Sequence, residues 1–231
     1  MKATAFDQYV TLVRQGLRAE FVDKERLVSP VLFALTMLIL FAFALGDLDQ
    51  SLRIKVYLAE TLLTALFALQ LSFSRLFEPD RQDRVFDLLR TYPVSYSSLF
   101  LAKYTLVLIL GSATLIPTML FGAFLHQSAN QSLFSWLVLG ISILALAGLG
   151  ALGVLLSVLT LKAQARQILY PILYFPLTTP VLLAAIQSAR LCLEAGVTSP
   201  ELKSWIGLLV GFDTIYITLG ILLFTELMDE S

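Results

Sequence analysis

Residues 134–160 read FSWLVLGISILALAGLGALGVLLSVLT, a run of 27 residues without a charged side chain. A helix that crosses the hydrocarbon core of a bilayer needs about 20 consecutive apolar residues, so this run is long enough to span a membrane. The run also contains a set of small residues: Gly140, Ala145, Ala147, Gly148, Gly150, Ala151 and Gly153. Because small residues let membrane helices approach closely, we expect tight packing inside a bundle; a hinge is the alternative interpretation.

Apolar runs of similar length recur along the rest of the chain. They cover about residues 28–46, 56–74, 99–125, 168–187 and 206–225. With the first run, they predict an all-α fold with six transmembrane helices in one domain over residues 28–231. The composition agrees, because 58% of the 231 residues are apolar or aromatic and only 14% are charged, whereas soluble domains contain about 25% charged residues. The single cysteine, Cys192, excludes an intrachain disulfide and a CxxC motif.

The basic residues predict how these spans are oriented. Twelve Lys and Arg residues fall on the side of the two termini and four on the opposite connections. Since basic loops stay on the cytoplasmic side of a membrane, both termini are expected in the cytoplasm. The net charge of -1 gives no basic excess that would indicate nucleic-acid binding.

The segment before the first run is less apolar but carries a stripe at helical spacing, formed by Phe6, Val10, Val13, Leu17 and Phe21. We expect residues 1–27 to form a cytoplasmic amphipathic elbow segment that lies in the membrane interface, with Arg14 and Arg18 near anionic headgroups. The chain is then expected to turn into the first span at Pro30. The alternative is a solvated helix packed on the cytoplasmic face of the protein itself.

The connection between the second and third spans reads RLFEPDRQDRVFDLLRTYP over residues 75–93. Pro79 breaks the preceding helix, Asp80 can cap a new one, and Pro93 ends it. The pattern predicts a short amphipathic helix over about residues 80–92, with apolar residues on one face and charged residues on the other. Such a helix offers a docking surface to a cytoplasmic partner; alternatively, it covers the cytoplasmic end of the bundle.

Few ionisable residues interrupt the spans, and the fifth span contains two tyrosines among three prolines. The candidate pathway residues come from these two sets: Glu60, Tyr170, Tyr174, Pro176 and Asp213. The two carboxyl groups are costly in hydrocarbon, so we expect them to face the interior, near the outer third of the membrane. Pro171, Pro176 and Pro180 predict a kinked or broken fifth span. Packing or snorkelling is the alternative role for the carboxyl groups, and a purely structural kink is the alternative for the prolines.

The motifs of common enzymes and metal sites are missing from the sequence. It has no GxxxxGK[ST] phosphate loop, no HExxH motif and no Ser/His/Asp arrangement. We therefore expect no catalytic residues, no metal site and no ATP site in this chain. The only histidine, His126, lies at the outer end of the third span. It can donate one axial ligand to haem, or it is an inert loop residue.

An amphipathic N-terminal segment, six spans with both ends inside, and a charged helix after the second span resemble the permease subunits of ABC-2 transporters. More specifically, the chain resembles the haem exporter protein B (CcmB) family of cytochrome c maturation. The matching residues in the first patch are PVLF at 30–33, SRLFEPDRQD at 74–83, Leu88, Leu89, Pro93 and LAK at 101–103. A second patch contains LTLK at 159–162 and LYFPLTTPV at 173–181.

The resemblance implies that the helix over about residues 80–92 is a coupling helix gripped by a separate, CcmA-like ABC ATPase, which binds ATP. The residues assigned to that contact are Glu78, Asp80, Asp83, Arg84, Asp87, Leu88, Leu89 and Tyr92. The resemblance also implies a bacterial inner-membrane location, CcmC-, CcmD- and CcmE-like haem-handling partners and a second permease copy. Haem is then the transported or handled ligand, and ATP hydrolysis helps release a haem-loaded chaperone to the periplasm. The alternatives are an ABC-2 exporter of a lipid, glycan or drug, and a membrane scaffold that transports nothing.

Overall fold

The computed structural model describes residues 5–22, 24–46, 49–74, 95–126, 133, 135–160, 166–194 and 199–229. Every regular element within these ranges is an α-helix, which confirms the predicted all-α class for this part of the chain. The helices are α1 (Ala5–Val22), α2 (Lys24–Leu45), α3 (Gln50–Ser74), α4 (Tyr96–Leu125), α5 (Trp136–Leu159), α6 (Arg166–Glu194) and α7 (Pro200–Asp229).

Five stretches of the described helices are long and apolar enough to cross a membrane: Val28–Leu45, Tyr96–Leu125, Trp136–Leu159, Ile168–Glu194 and Pro200–Phe224. The remaining predicted span, 56–74, is helical and lies in α3, but it is not among these five. α3 carries three buried polar residues, Glu60, Thr61 and Thr64. It packs against α2, α4, α5 and α6, so much of its surface meets protein and does not need to be apolar.

α5 forms the centre of the bundle and packs against α3, α4, α6 and α7. Its small residues bring the neighbouring helices close, as predicted. A Cβ atom on Gly153 would lie 2.6 Å from Cδ2 of Phe73 on α3, and one on Gly150 would lie 3.0 Å from Cγ1 of Val107 on α4. Close contact between helix backbones is a main source of stability in membrane bundles.

The start of α1 and the end of α7 lie at the same end of the bundle. Near the start of α1, the Ser98 hydroxyl of α4 donates to the Ala5 carbonyl oxygen over 3.2 Å. Near the end of α7, the ring of Phe224 packs edge-on against Phe100 of α4, with ring centroids 5.5 Å apart. Both contacts involve the first residues of α4, whereas His126 at the other end of α4 marks the opposite end of the bundle.

One prediction about proline is wrong and another is narrowed. α1 ends at Val22, and α2 begins at Lys24 and runs through Pro30, so the predicted turn at Pro30 is wrong. The sequence predicts a kinked or broken fifth span; α6 is continuous through its three prolines, so it is not broken. Membrane helices tolerate proline where neighbouring groups satisfy the backbone carbonyls that it frees.

Candidate functional site

The structure separates the predicted site residues into three groups. Glu60, Tyr170, Tyr174 and Asp213 are buried in the bundle, whereas Pro176 is exposed on the outer surface of α6. The coupling residues form the third group and lie outside the described residues: Glu78, Asp80, Asp83, Arg84, Asp87, Leu88, Leu89 and Tyr92. Their contact with an ATPase stays a prediction.

Glu60 on α3 is paired with His126 at the end of α4. The Oε2 atom of Glu60 lies 2.8 Å from Nε2 of His126, and both residues are buried. α4 positions the imidazole, because the His126 backbone N–H caps that helix by donating to the Gly122 carbonyl over 3.0 Å. A carboxylate inside a protein is costly unless it is paired and hydrogen-bonded. The imidazole therefore partners one oxygen of this buried carboxyl group, whereas Oε1 has no hydrogen-bond partner among the described residues.

Tyr57 and Gly122 complete the surroundings of this pair. The Tyr57 hydroxyl donates to the Met119 carbonyl over 3.3 Å, and its ring stands nearly edge-on to the imidazole with centroids 6.4 Å apart. A Cβ atom on Gly122 would lie 3.0 Å from Cγ2 of Thr61, so the glycine lets α3 and α4 approach. Together these residues build a polar cluster at the end of the bundle opposite the termini.

This arrangement bears on the proposed role of His126. It is not an isolated loop residue, because Nε2 is held by Glu60. An axial haem ligand must offer a ring nitrogen to the iron, so ligation through Nε2 would require the contact with Glu60 to break.

The two tyrosines of α6 pack into an aromatic cluster between α3, α5 and α6. The rings of Tyr170 and Tyr174 stack with centroids 5.3 Å apart, and Phe73 meets Tyr174 edge-on at 5.8 Å. The Tyr174 hydroxyl donates to the Leu149 carbonyl of α5 over 3.4 Å. Since both tyrosines are almost completely buried, they fill the space between helices in this conformation.

Asp213 occupies the contact between α5 and α7. Its residue is 4% exposed, and a Cβ atom on Gly148 would overlap its Oδ1 atom. Neither carboxyl oxygen has a hydrogen-bond partner among the described residues. Tyr104 of α4 and Tyr216 of α7 lie within electrostatic range of the carboxyl group. Gly148 lies near the midpoint of α5, which places Asp213 deeper in the bundle than the expected outer third.

A family model described as CcmB protein matches residues 7–227 of the chain, from α1 almost to the end of α7. The chain belongs to the CcmB family. A search of curated proteins finds no match. Membership confirms the resemblance seen in the sequence and implies a permease component of the ABC transporter for haem in cytochrome c maturation. It also implies a CcmA ATPase partner, and with the five apolar helices it indicates an integral inner-membrane protein.

The described family-like patches of this CcmB chain lie in the helix bundle. PVLF at 30–33 lies in α2, LAK at 101–103 in α4, and LYFPLTTPV at 173–181 in α6. In the last patch, Tyr174 and Thr178 are buried, while Pro176 lies on the exposed side of the helix. The patch therefore contributes a polar, aromatic face to the interior of the CcmB bundle.

Sequence reasoning missed three features of the CcmB interior. It did not pair Glu60 with His126, gave no role to Tyr57 and did not place Asp213 against Gly148. One signal was available for the first feature, because Glu60 and His126 are expected near the same outer end of two consecutive spans. The other two depend on how each helix is rotated about its axis, which apolar runs do not define.

Proposed function

We propose that this CcmB-family chain is the six-span permease subunit through which a separate ATPase drives release of a haem-loaded chaperone to the periplasmic side. The observation that carries this proposal is the family match over residues 7–227, which includes nearly the whole helical bundle. Haem is the handled substrate, ATP is bound by the CcmA-like partner, and CcmC-, CcmD- and CcmE-like proteins and a second permease copy complete the assembly.

α3 is the sixth span in this proposal. It contains 25 residues and is therefore about 37 Å long at 1.5 Å per residue, enough to cross the hydrocarbon core. Its polar residues are tolerated because they face neighbouring helices. An even number of spans agrees with the position of both termini at one end of the bundle.

The excess of Lys and Arg assigns that end to the cytoplasm. α1 supports the assignment, because it has two distinct sides. Tyr9 is hydrogen-bonded to Thr105 of α4 at 2.9 Å, whereas Phe6 and Phe21 are 71% and 64% exposed. Exposed aromatic side chains on a helix with exposed arginines at 14 and 18 favour a position in the interface of an anionic membrane.

The order of the helices along the chain suggests how the ATPase would move the bundle. Residues 75–94 join the end of α3 to the start of α4, on the cytoplasmic side in this proposal. A push by the ATPase on the predicted coupling helix would reach α3 and α4 directly. His126 lies at the far end of α4, where it contacts Glu60 of α3. Rigid helices of this kind transmit motion from one membrane face to the other. The polar cluster of Tyr57, Glu60 and His126 is thus expected to change when the ATPase acts.

Release of the chaperone from the purified complex tests this proposal. The complete complex, taken from native membranes with the haem-loaded chaperone bound, is incubated with ATP or with a nonhydrolysable analogue, and the released chaperone is quantified. We expect release with ATP only, and no release in the variant L88D/L89D, whereas the apolar control L88M/L89M should behave like the wild type. Equal release with ATP and the analogue would contradict an ATP-driven step.

A further inference from the structure

Asp213 is a carboxyl group without a visible counter-ion, deep inside the α5–α7 contact. It is 4% exposed, and neither of its oxygens has a hydrogen-bond partner among the described residues. The position is built for close contact, since the carboxyl group lies where a side chain at Gly148 would be. The helices approach each other along this line, so the packed α5–α7 contact keeps the carboxyl group from bulk water.

Among the described residues, the groups that face Asp213 do not supply a positive charge. α5 has no titratable side chain between Trp136 and Leu159. α4 contributes Tyr104, whose ring stacks on Phe100 with centroids 6.0 Å apart. On α7 itself, the hydroxyl of Tyr216 is committed to the Leu177 carbonyl of α6. The described surroundings are therefore aromatic, aliphatic and backbone groups.

Such surroundings favour the neutral form of a carboxyl group over the ionised form. An ionised carboxylate loses its hydration on burial and gains no donor in return, whereas the neutral acid loses far less. We propose that Asp213 is a proton-binding site: the carboxyl group is protonated in the packed conformation and gives its proton to water only when the α5–α7 contact opens. The ligand is H⁺. The site consists of the Asp213 carboxyl group, the surface of α5 at Gly148, and the side chains of Tyr104 and Tyr216.

Proton binding and helix packing are linked by this arrangement. The neutral acid favours the packed α5–α7 contact, and the ionised form favours an open one, because a ligand shifts a conformational equilibrium toward the state that it binds better. The site does not depend on haem or on the ATPase, so it can be tested independently of the proposed function.

Infrared spectroscopy of the full-length protein in lipid vesicles reads the protonation state directly. We expect the wild type at neutral pH to show the carbonyl band of a protonated carboxyl group, and the variant D213N to lack it. The variant D49N, which removes an exposed carboxyl group, is the matched control and should leave this band unchanged. A wild-type spectrum without any protonated-carboxyl band that D213N lacks would overturn the proposal.

Chemical labelling provides the test if D213N is not obtained as a folded protein. A hydrophobic carbodiimide reacts with a protonated carboxyl group: the O–H adds across one C=N bond to give an O-acylisourea, which rearranges to a stable N-acylurea without loss of atoms. Mass spectrometry of the wild-type chain labelled in native membranes should find this adduct at Asp213, with a yield that falls as the pH is raised. In that case, absence of a pH-dependent adduct at Asp213 overturns the proposal.

Discussion

Glu60 and His126 are 66 residues apart in the chain, yet their side chains lie 2.8 Å apart inside the end of the bundle opposite the termini. The pair joins α3 to α4, the two helices that flank the predicted coupling segment. Both residues are buried, with Glu60 5% and His126 8% exposed. The pair therefore combines an electrostatic contact with a link between the helices.

Removing the histidine should destabilise the bundle. We expect His126→Ala to lower the free energy of unfolding by about 3 kcal/mol, because the carboxyl group of Glu60 is then buried without its partner. The double variant E60Q/H126A should lose less, since no ionisable carboxyl group remains at the site. Denaturant titration in mild detergent measures both values. Wild-type stability of H126A would show that the pair does not hold α3 against α4.

Gly148 tests the close contact between α5 and α7. Gly148→Ala places a methyl group on Oδ1 of Asp213, and we expect it to lower the free energy of unfolding by about 1–3 kcal/mol through overpacking. Asp213→Ala in the same chain should restore part of the loss by making room.

Gly140 offers a matched control for this substitution on the same helix. A Cβ atom there meets nothing within 4 Å, so Gly140→Ala should be neutral or stabilising by up to about 1 kcal/mol, the gain in helix propensity. If both alanine variants have the same thermal midpoint in detergent, Asp213 does not exclude a side chain at position 148.

Tyr174 separates the contribution of a ring from that of a hydroxyl group. Tyr174→Phe removes only the hydrogen bond to the Leu149 carbonyl and should cost about 1 kcal/mol. Tyr174→Ala also removes the ring between Tyr170 and Phe73, and we expect a loss of about 3–5 kcal/mol. The two values can be compared by denaturant titration. A pathway role without a packing role would reverse this expectation, with little effect of either variant on stability and a strong effect on function.

Leu88 and Leu89 test the predicted contact with the ATPase. L88D/L89D should weaken association with the CcmA-like partner by at least about 2 kcal/mol, because apolar anchors dominate the energy of an interface. Co-purification from membranes measures this, and the yield of inserted L88D/L89D chain should remain at the wild-type level. If the variant retains the ATPase as fully as L88M/L89M does, the interface lies elsewhere in the chain.

The helices themselves were largely predictable. The runs 99–125 and 134–160 correspond closely to α4 and α5, because an uncharged run bounded by polar residues defines a membrane helix well. The depth of Asp213 was less predictable. The apolar run begins near residue 206, but α7 already begins at Pro200, so Asp213 lies about 20 Å along its helix. When a helix extends beyond its apolar run, the position of a residue along the helix cannot be estimated from the run alone.

The contacts between helices could not be read from the sequence. The pairing of Glu60 with His126, and the placement of Asp213 over Gly148, depend on the rotation and register of packed helices. Apolar runs carry little information on either, because in a membrane both the lipid-facing and the buried sides of a helix are apolar. Pro30 shows a related limit, since proline ends helices in water but is accommodated within α2.

A haem stain of denatured membrane proteins from a strain that lacks this gene tests the assignment to cytochrome c maturation most directly, since only covalently attached haem remains on the proteins during electrophoresis. We expect the c-type bands to disappear, to return when the full-length gene is supplied, and b-type haem to remain in the native membranes. Unchanged c-type bands in the deletion strain would contradict a role for this permease in cytochrome c maturation.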